Sequence, residues 1–174
     1  MASSIFQARS ISFDPHIYDI LDNLSRLSNM ASIDAGIALI DEQHSKIVEK
    51  YNDLVNSLRD QSEANARAAK FEGLMSYVAL HFAMENSVMK VLSYPLCDLH
   101  ISQHAGFISH VNNMAAHISA GESSIESLIL YMGHWLLGHV LISDKEFEEF
   151  EAASSLSHSL AESPSKNGLS NTRV

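Results

Sequence analysis

The chain has 174 residues, which suits one domain with something left over. Apolar residues make up 46% of it and charged residues 18%, so disorder throughout is excluded. The net charge of −10 argues against a nucleic-acid backbone or an anionic membrane as a partner, and the single cysteine, Cys97, excludes an internal disulfide framework and fits a reducing cytoplasm.

Gly and Pro together number ten, which leaves room for long uninterrupted helices. The first ten residues lack the basic and apolar regions of a signal peptide, so a cytoplasmic location is expected. Asp14-Pro15 reads as a helix cap followed by Pro at the first helical position. Ile17, Ile20, Leu21, Leu24 and Leu27 then predict a short amphipathic helix from Pro15 to Ser28, inside an N-terminal extension over residues 1–31.

Four long helical patterns follow over residues 32–152. The first opens at Asp41 and runs to Arg59, with Ile40, His44, Ile47, Tyr51, Leu54 and Leu58 in steps of three and four. The second carries Phe71, Leu74, Met75, Val78, Phe82, Val88, Met89 and Leu92 until Tyr94-Pro95 ends it. The third begins near Asp98 and shows Phe107, Ile108, Val111, Met114 and Ile118 before Gly121. The fourth opens with a capping box, Ser123 to Glu126, and carries Leu128, Met132, Trp135, Leu136 and Ile142, continuing through Phe147 and Phe150. Its uncharged run from Ser127 to Ser143 has 17 residues, short of the roughly 20 needed to span a bilayer, and reads as a buried bundle helix. From Ala153 the chain has seven Ser in 22 residues with no periodicity, the composition of a disordered tail or linker over 153–174. Short connections between helices predict an all-α, up-down-up-down four-helix bundle.

The ten His exceed the seven Gly, and five of them fall in the apolar rows. His81 and Glu85 share the core face of the second helix, His100 and His104 lead into Phe107 on the third, His44 sits between Ile40 and Ile47, and His139 follows Met132 and Trp135. Asp144, five residues past His139, is rotated by roughly 140° in a regular helix, so it has to reach in from the flank. One His in such a row is more often a hydrogen-bonded core residue. Inward ligands on every long helix are a different matter: buried carboxylates and imidazoles are costly unless paired, and seven are too many for one tetrahedral ion and suit two metals sharing bridges. Met75, Met84, Met89 and Met132 read as core filler. His16, His110, His117, His134 and His158 lack inward phase or lie outside the bundle.

The segments DEQH (Asp41 to His44), HFAME (His81 to Glu85), HISQH (His100 to His104) and WLLGHVLISD (Trp135 to Asp144) resemble the hemerythrins, particularly the bacterial ones, over Ile33 to Phe150. The resemblance implies a non-haem di-iron centre: His100, His104 and His139 on one iron, His44 and His81 on the other, with Glu85, Asp144 and an oxo or hydroxo group as bridges. It implies that O2 binds reversibly, as a hydroperoxide, at the iron with two His. Ile47, Phe82, Trp135, Leu136 and Val140 would line the O2 side. Asn86 stands where many relatives carry a second acid. The implied role is oxygen carrier or store, or the O2- or redox-sensing domain of a signalling protein with a fused or separate output domain. A di-iron enzyme turning over ferrous iron, peroxide or nitric oxide is the alternative, and it ranks below binding because ligation here is rich in His.

Overall fold

Each long apolar row forms a helix in the structure, a computed structural model that describes residues 5–6, 38–60 and 62–161. Helices α1 (Ala38–Arg59), α2 (Ala64–Val91), α3 (Cys97–Ser119) and α4 (Ile125–His139) are antiparallel neighbours in turn. A π-helical turn (Val140–Asp144) then leads directly into α5 (Lys145–Ala161), so α4, the turn and α5 make one column, the fourth element of the bundle. Among the described residues there is no strand. The expected helix at Pro15–Ser28 lies outside the described residues.

The boundaries move for local reasons. Helix α1 starts three residues before Asp41. Ser124, not Ser123, caps α4: its Oγ accepts the Ser127 N–H at 3.3 Å. Helix α5 runs to Ala161, through residues whose composition predicts a tail, with Phe147 buried at its start.

Both ends of the α2–α3 pair are closed by the same device. After α3, Gly121 takes φ +78°, its N–H donates to the Ile118 carbonyl, and the Glu122 N–H donates to that of His117. After α2, Ser93 adopts the same left-handed conformation at φ 54°, with Ser93 N–H on Lys90 and Tyr94 N–H on Met89.

Two apolar clusters fill the bundle. The larger joins twenty buried residues, among them Ile47, Tyr51, Leu54, Leu74, Phe82, Phe107, Leu128 and Leu136. It includes Ile5 and Phe6, which the sequence reading placed in a separate extension; the Phe6 ring packs on Phe71 at 5.8 Å and its carbonyl accepts from Arg67 Nη2 at 2.7 Å. Tyr51 ties α1 to α4 by donating to the Ile129 carbonyl at 2.8 Å. The smaller cluster is Ile40, Met89, Tyr94 and Phe147. On α1, α2 and the fourth column the expected His and carboxylates lie between residues of the two. The stretch Ile125–Leu156 is long and apolar enough by composition to cross a membrane, but its Leu128, Ile129 and Met132 are fully enclosed by the bundle.

Candidate metal centre

All seven residues expected to ligate converge between the two clusters, and every one is buried. His44 comes from α1, His81 and Glu85 from successive turns of α2, His100 and His104 from successive turns of α3, and His139 from the end of α4. Asp144 ends the π-helical turn. That turn corrects the expectation that Asp144 reaches in from the flank. Its wider i→i+5 pitch brings residue 144 back to about one full turn from His139, so both share the inner face. The same shift sends Ile142, expected in the apolar row, out to 63% exposure.

Glu85 Oε2 lies 3.4 Å from His100 Nε2, 3.3 Å from His104 Nε2 and 3.8 Å from His81 Nε2. Asp144 Oδ1 is 3.0 Å from His139 Nε2 and 3.3 Å from His100 Nε2, while its Oδ2 is 3.0 Å from His44 Nε2. The donor atoms sort into two groups, each within 4.8 Å: Glu85, His100, His104, His139 and Asp144 in one, His44, His81, Glu85 and Asp144 in the other. Both carboxylates belong to both groups.

The donor set fits cations. No carboxylate oxygen of Glu85 or Asp144 has a well-directed hydrogen bond; Glu85 Oε2 and both oxygens of Asp144 face imidazole nitrogens instead. His104 Nε2 lies 3.1 Å from His100 Nε2 and 2.8 Å from His139 Nε2. Nitrogens this close must share protons or a cation, since two lone pairs otherwise face each other. Burial opposes ionisation of Glu85, yet contacts with the His100 and His104 rings outweigh it and hold the carboxyl at about 2. Burial is likewise overcome at Asp144, where His100, His139 and His44 hold the carboxyl well below its usual range. Burial, with His44 nearby, pushes His81 down to about 4. His100 goes the other way, to about 9, because Asp144 and Glu85 outweigh its burial. Without cations, the cluster therefore balances buried carboxylates against a protonated imidazole.

Two amides stand behind the ring nitrogens. Gln43 Oε1 faces His81 Nδ1 at 3.2 Å, and Asn86 Oδ1 faces His104 Nδ1 at 3.0 Å. An imidazole that donates from Nδ1 presents its Nε2 lone pair to the cluster. Sequence reading did not single out Gln43, and noted Asn86 only as a departure; the signal was their positions beside His44 and Glu85.

Of the expected pocket residues, Phe82 stacks on His104 (3.7 Å, 8°) and Trp135 on His139 (4.3 Å, 16°), with Phe82 and Trp135 edge to face at 5.8 Å. Ile47 and Leu136 join them in the larger apolar cluster, while Val140 is half-buried in the π-helical turn. A groove of about 450 Å³ between α2 and α3 reaches Phe82 and His104 past Ala79, Ala83 and Ala105. His110, His117 and His134 are exposed, away from the cluster.

The profile of the Hemerythrin HHE cation binding domain matches residues 35–150. The chain belongs to the hemerythrin family. It is similar to a bacteriohemerythrin of Pseudomonas paraeruginosa (strain DSM 24068 / PA7), with 30% identity over 130 residues, 75% of this chain and 81% of the relative. A bacteriohemerythrin of Stenotrophomonas maltophilia (strain R551-3) is 29% identical over 117 residues, 67% of this chain and 76% of the relative. A myohemerythrin of Theromyzon tessulatum is 26% identical over 105 residues, 60% and 82% of the two chains. No solved structure matches the chain at a significant level.

Proposed function

We propose that the cluster holds two iron ions and that this hemerythrin binds O2 reversibly, as a carrier, a store or the sensing part of a signalling protein. The observation that carries the reading is the pair of donor groups with Glu85 and Asp144 common to both. Two cations sharing two carboxylates account for seven buried polar side chains that otherwise oppose one another. The five-donor group would hold one ion through His100, His104 and His139; the four-donor group would hold the other through His44 and His81. With only two imidazoles, His44 and His81, the four-donor group would leave its ion more room for a small ligand. The bound iron pair supplies the electrons that O2 takes up on binding and returns on release.

The chain's own residues set the surroundings of that chemistry. Phe82, Trp135, Ile47, Leu136 and Val140 form an apolar wall that admits a small neutral molecule and discourages water, slowing irreversible oxidation. The groove past Ala79, Ala83 and Ala105 offers a short approach from solvent to that wall. Binding is preferred to turnover because the cluster has five imidazoles and only two carboxylates. Oxygen-activating bundles use a Glu from each of two helices and two Glu-x-x-His elements.

The test is the visible spectrum of the iron-loaded, reduced protein in nitrogen, in air and after O2 is removed. A charge-transfer band that appears in air and disappears on deoxygenation is expected. Rapid, irreversible passage to the ferric form would overturn reversible binding in favour of a redox sensor or an enzyme, and no iron-dependent band would overturn the metal assignment.

A further inference from the structure

Gln43 is buried, one residue before His44 on α1, and both ends of its amide are engaged. Its Nε2 donates to the thioether Sδ of Met84 at 2.8 Å, and its Oε1 faces His81 Nδ1 at 3.2 Å. Met84 was expected to be core filler, but it is half-buried one helical turn from His81, and Gln43 bridges the two from the neighbouring helix. The polarity of this chain of contacts follows from elementary rules. A thioether sulfur accepts and never donates. The amide nitrogen therefore turns to Met84, the amide oxygen turns to His81, and His81 must hold its proton on Nδ1. Its Nε2 lone pair is left facing the cluster.

A competing arrangement exists on the page. Glu85 Oε2 lies on the Nε2 side of His81 and would favour the opposite tautomer, with the proton on Nε2. At 3.8 Å that contact is beyond hydrogen-bond range, whereas Gln43 Oε1 is within reach. The His44 ring lies 4.7 Å away and edge-on to that of His81.

We propose that Met84 and Gln43 form a relay of positioning residues that fixes the tautomer of His81 and so keeps its Nε2 available to a cation. The effect on metal affinity rests on His81 being a ligand, as proposed above; the tautomer itself does not. Replacing Met84 with Leu removes the acceptor that orients the amide. Gln43 can then present its nitrogen to His81, whose proton moves to Nε2 and meets the incoming cation. A carboxylate at position 43 has no donor end to misplace, so it needs no anchor.

The test begins with the full chain, metal-free, at neutral pH, using nitrogen NMR to read the protonated nitrogen of His81. The native chain and the variants Met84→Leu, Gln43→Leu and the double variant Met84→Leu/Gln43→Glu are compared, with far-ultraviolet circular dichroism to establish folding. Expected are a proton on Nδ1 in the native chain, a mixture or the Nε2 form in the two single variants, and return to Nδ1 in the double variant. Titration with cobalt(II) should show affinity falling about 10- to 100-fold in the single variants and recovering in the double one. A native His81 protonated on Nε2, or an Nδ1 proton unmoved by both Met84→Leu and Gln43→Leu, would overturn the relay. If Gln43→Leu fails to fold, Met84→Leu decides alone. A tautomer that responds while cobalt affinity does not would uphold the relay and overturn His81 as a ligand.

Discussion

Glu85 is fully buried and belongs to both donor groups, whereas His81 belongs to one. The two residues therefore predict different losses. His81→Ala leaves the five-donor group of Glu85, His100, His104, His139 and Asp144 untouched and reduces the four-donor group to three. Glu85→Gln removes a charged ligand from both. Partners that only orient a ligand cost 10- to 100-fold in metal affinity when lost, so loss of a direct ligand should cost at least about 100-fold, or ~2.7 kcal/mol, at each ion affected. The assay is anaerobic loading with ferrous iron, removal of excess by gel filtration, and iron counted per chain, with circular dichroism to show that each variant is folded. The native chain should retain two ions, His81→Ala one, and Glu85→Gln fewer than one. Glu85→Gln retaining two ions, or the two variants losing the same single ion, would refute the shared-carboxylate reasoning.

The acid limb of metal-free stability should carry the mark of His81. Its folded value of about 4 lies below the ordinary 6.5, so only the unfolded chain takes up that proton between the two, and up to ~3 kcal/mol is lost as pH falls from 6.5 to 4. His100, held at about 9, contributes with the opposite sign: its stabilisation is complete below 6.5 and lost as pH rises through 9, so urea midpoints should peak near neutrality. Ser93→Gly relieves a left-handed non-glycine residue at an exposed helix end and should stabilise by about 0.5–1 kcal/mol in urea melts; a destabilised variant would contradict the strain. Deleting the exposed Ile142 should convert the π-helical turn into a regular one with His139 and the Asp still one turn apart, and iron content should be kept. Inserting Ala after Ile142 rotates the Asp by about 100° and should lower it; iron lost equally in both would refute the account of the turn.

The convergence of the candidate ligands is legible in the sequence because an α-helix converts spacing into direction. His81 with Glu85, and His100 with His104, are four apart, so finding one on an apolar row places the other. Asp144 is the loosest member of the set on spacing alone, since regular helical phase turns it away from His139 and only a reach from the flank admits it; the family resemblance adds its bridging role. Nothing in the run Val140 to Asp144 announces a wider turn; it forms because, with Asp144 drawn inward, exposed Leu141 and Ile142 absorb the extra residue. Gln43, Asn86 and Met84 were missed for another reason. Their roles depend on which atom of a side chain meets which atom of a neighbouring helix, and periodicity carries no such information. Ile5 and Phe6 belong by sequence to the N-terminal extension, and two apolar residues are too few to show a period; in the structure they join the larger cluster beside Phe71 and Arg67.

The two ends of the bundle are held by different forces. On one side of the cluster lie twenty buried apolar residues, each large one contributing roughly 1.5–3 kcal/mol by leaving water. On the other lie four, Ile40, Met89, Tyr94 and Phe147, and there the helices meet mainly through the donors. Asp144 alone touches His44 of α1, His100 of α3 and His139 of α4, and Glu85 on α2 touches both His of α3. The residues that would bind cations are therefore also the ties between all four helices at this end. Were cations bound as proposed, a change in their charge would act directly on those ties, while the larger apolar cluster holds the other end of the bundle. If the centre works as proposed, Phe82 and Trp135, stacked on His104 and His139, would wall it on the side of the larger cluster, and the π-helical turn that carries Asp144 would pass its state to α5.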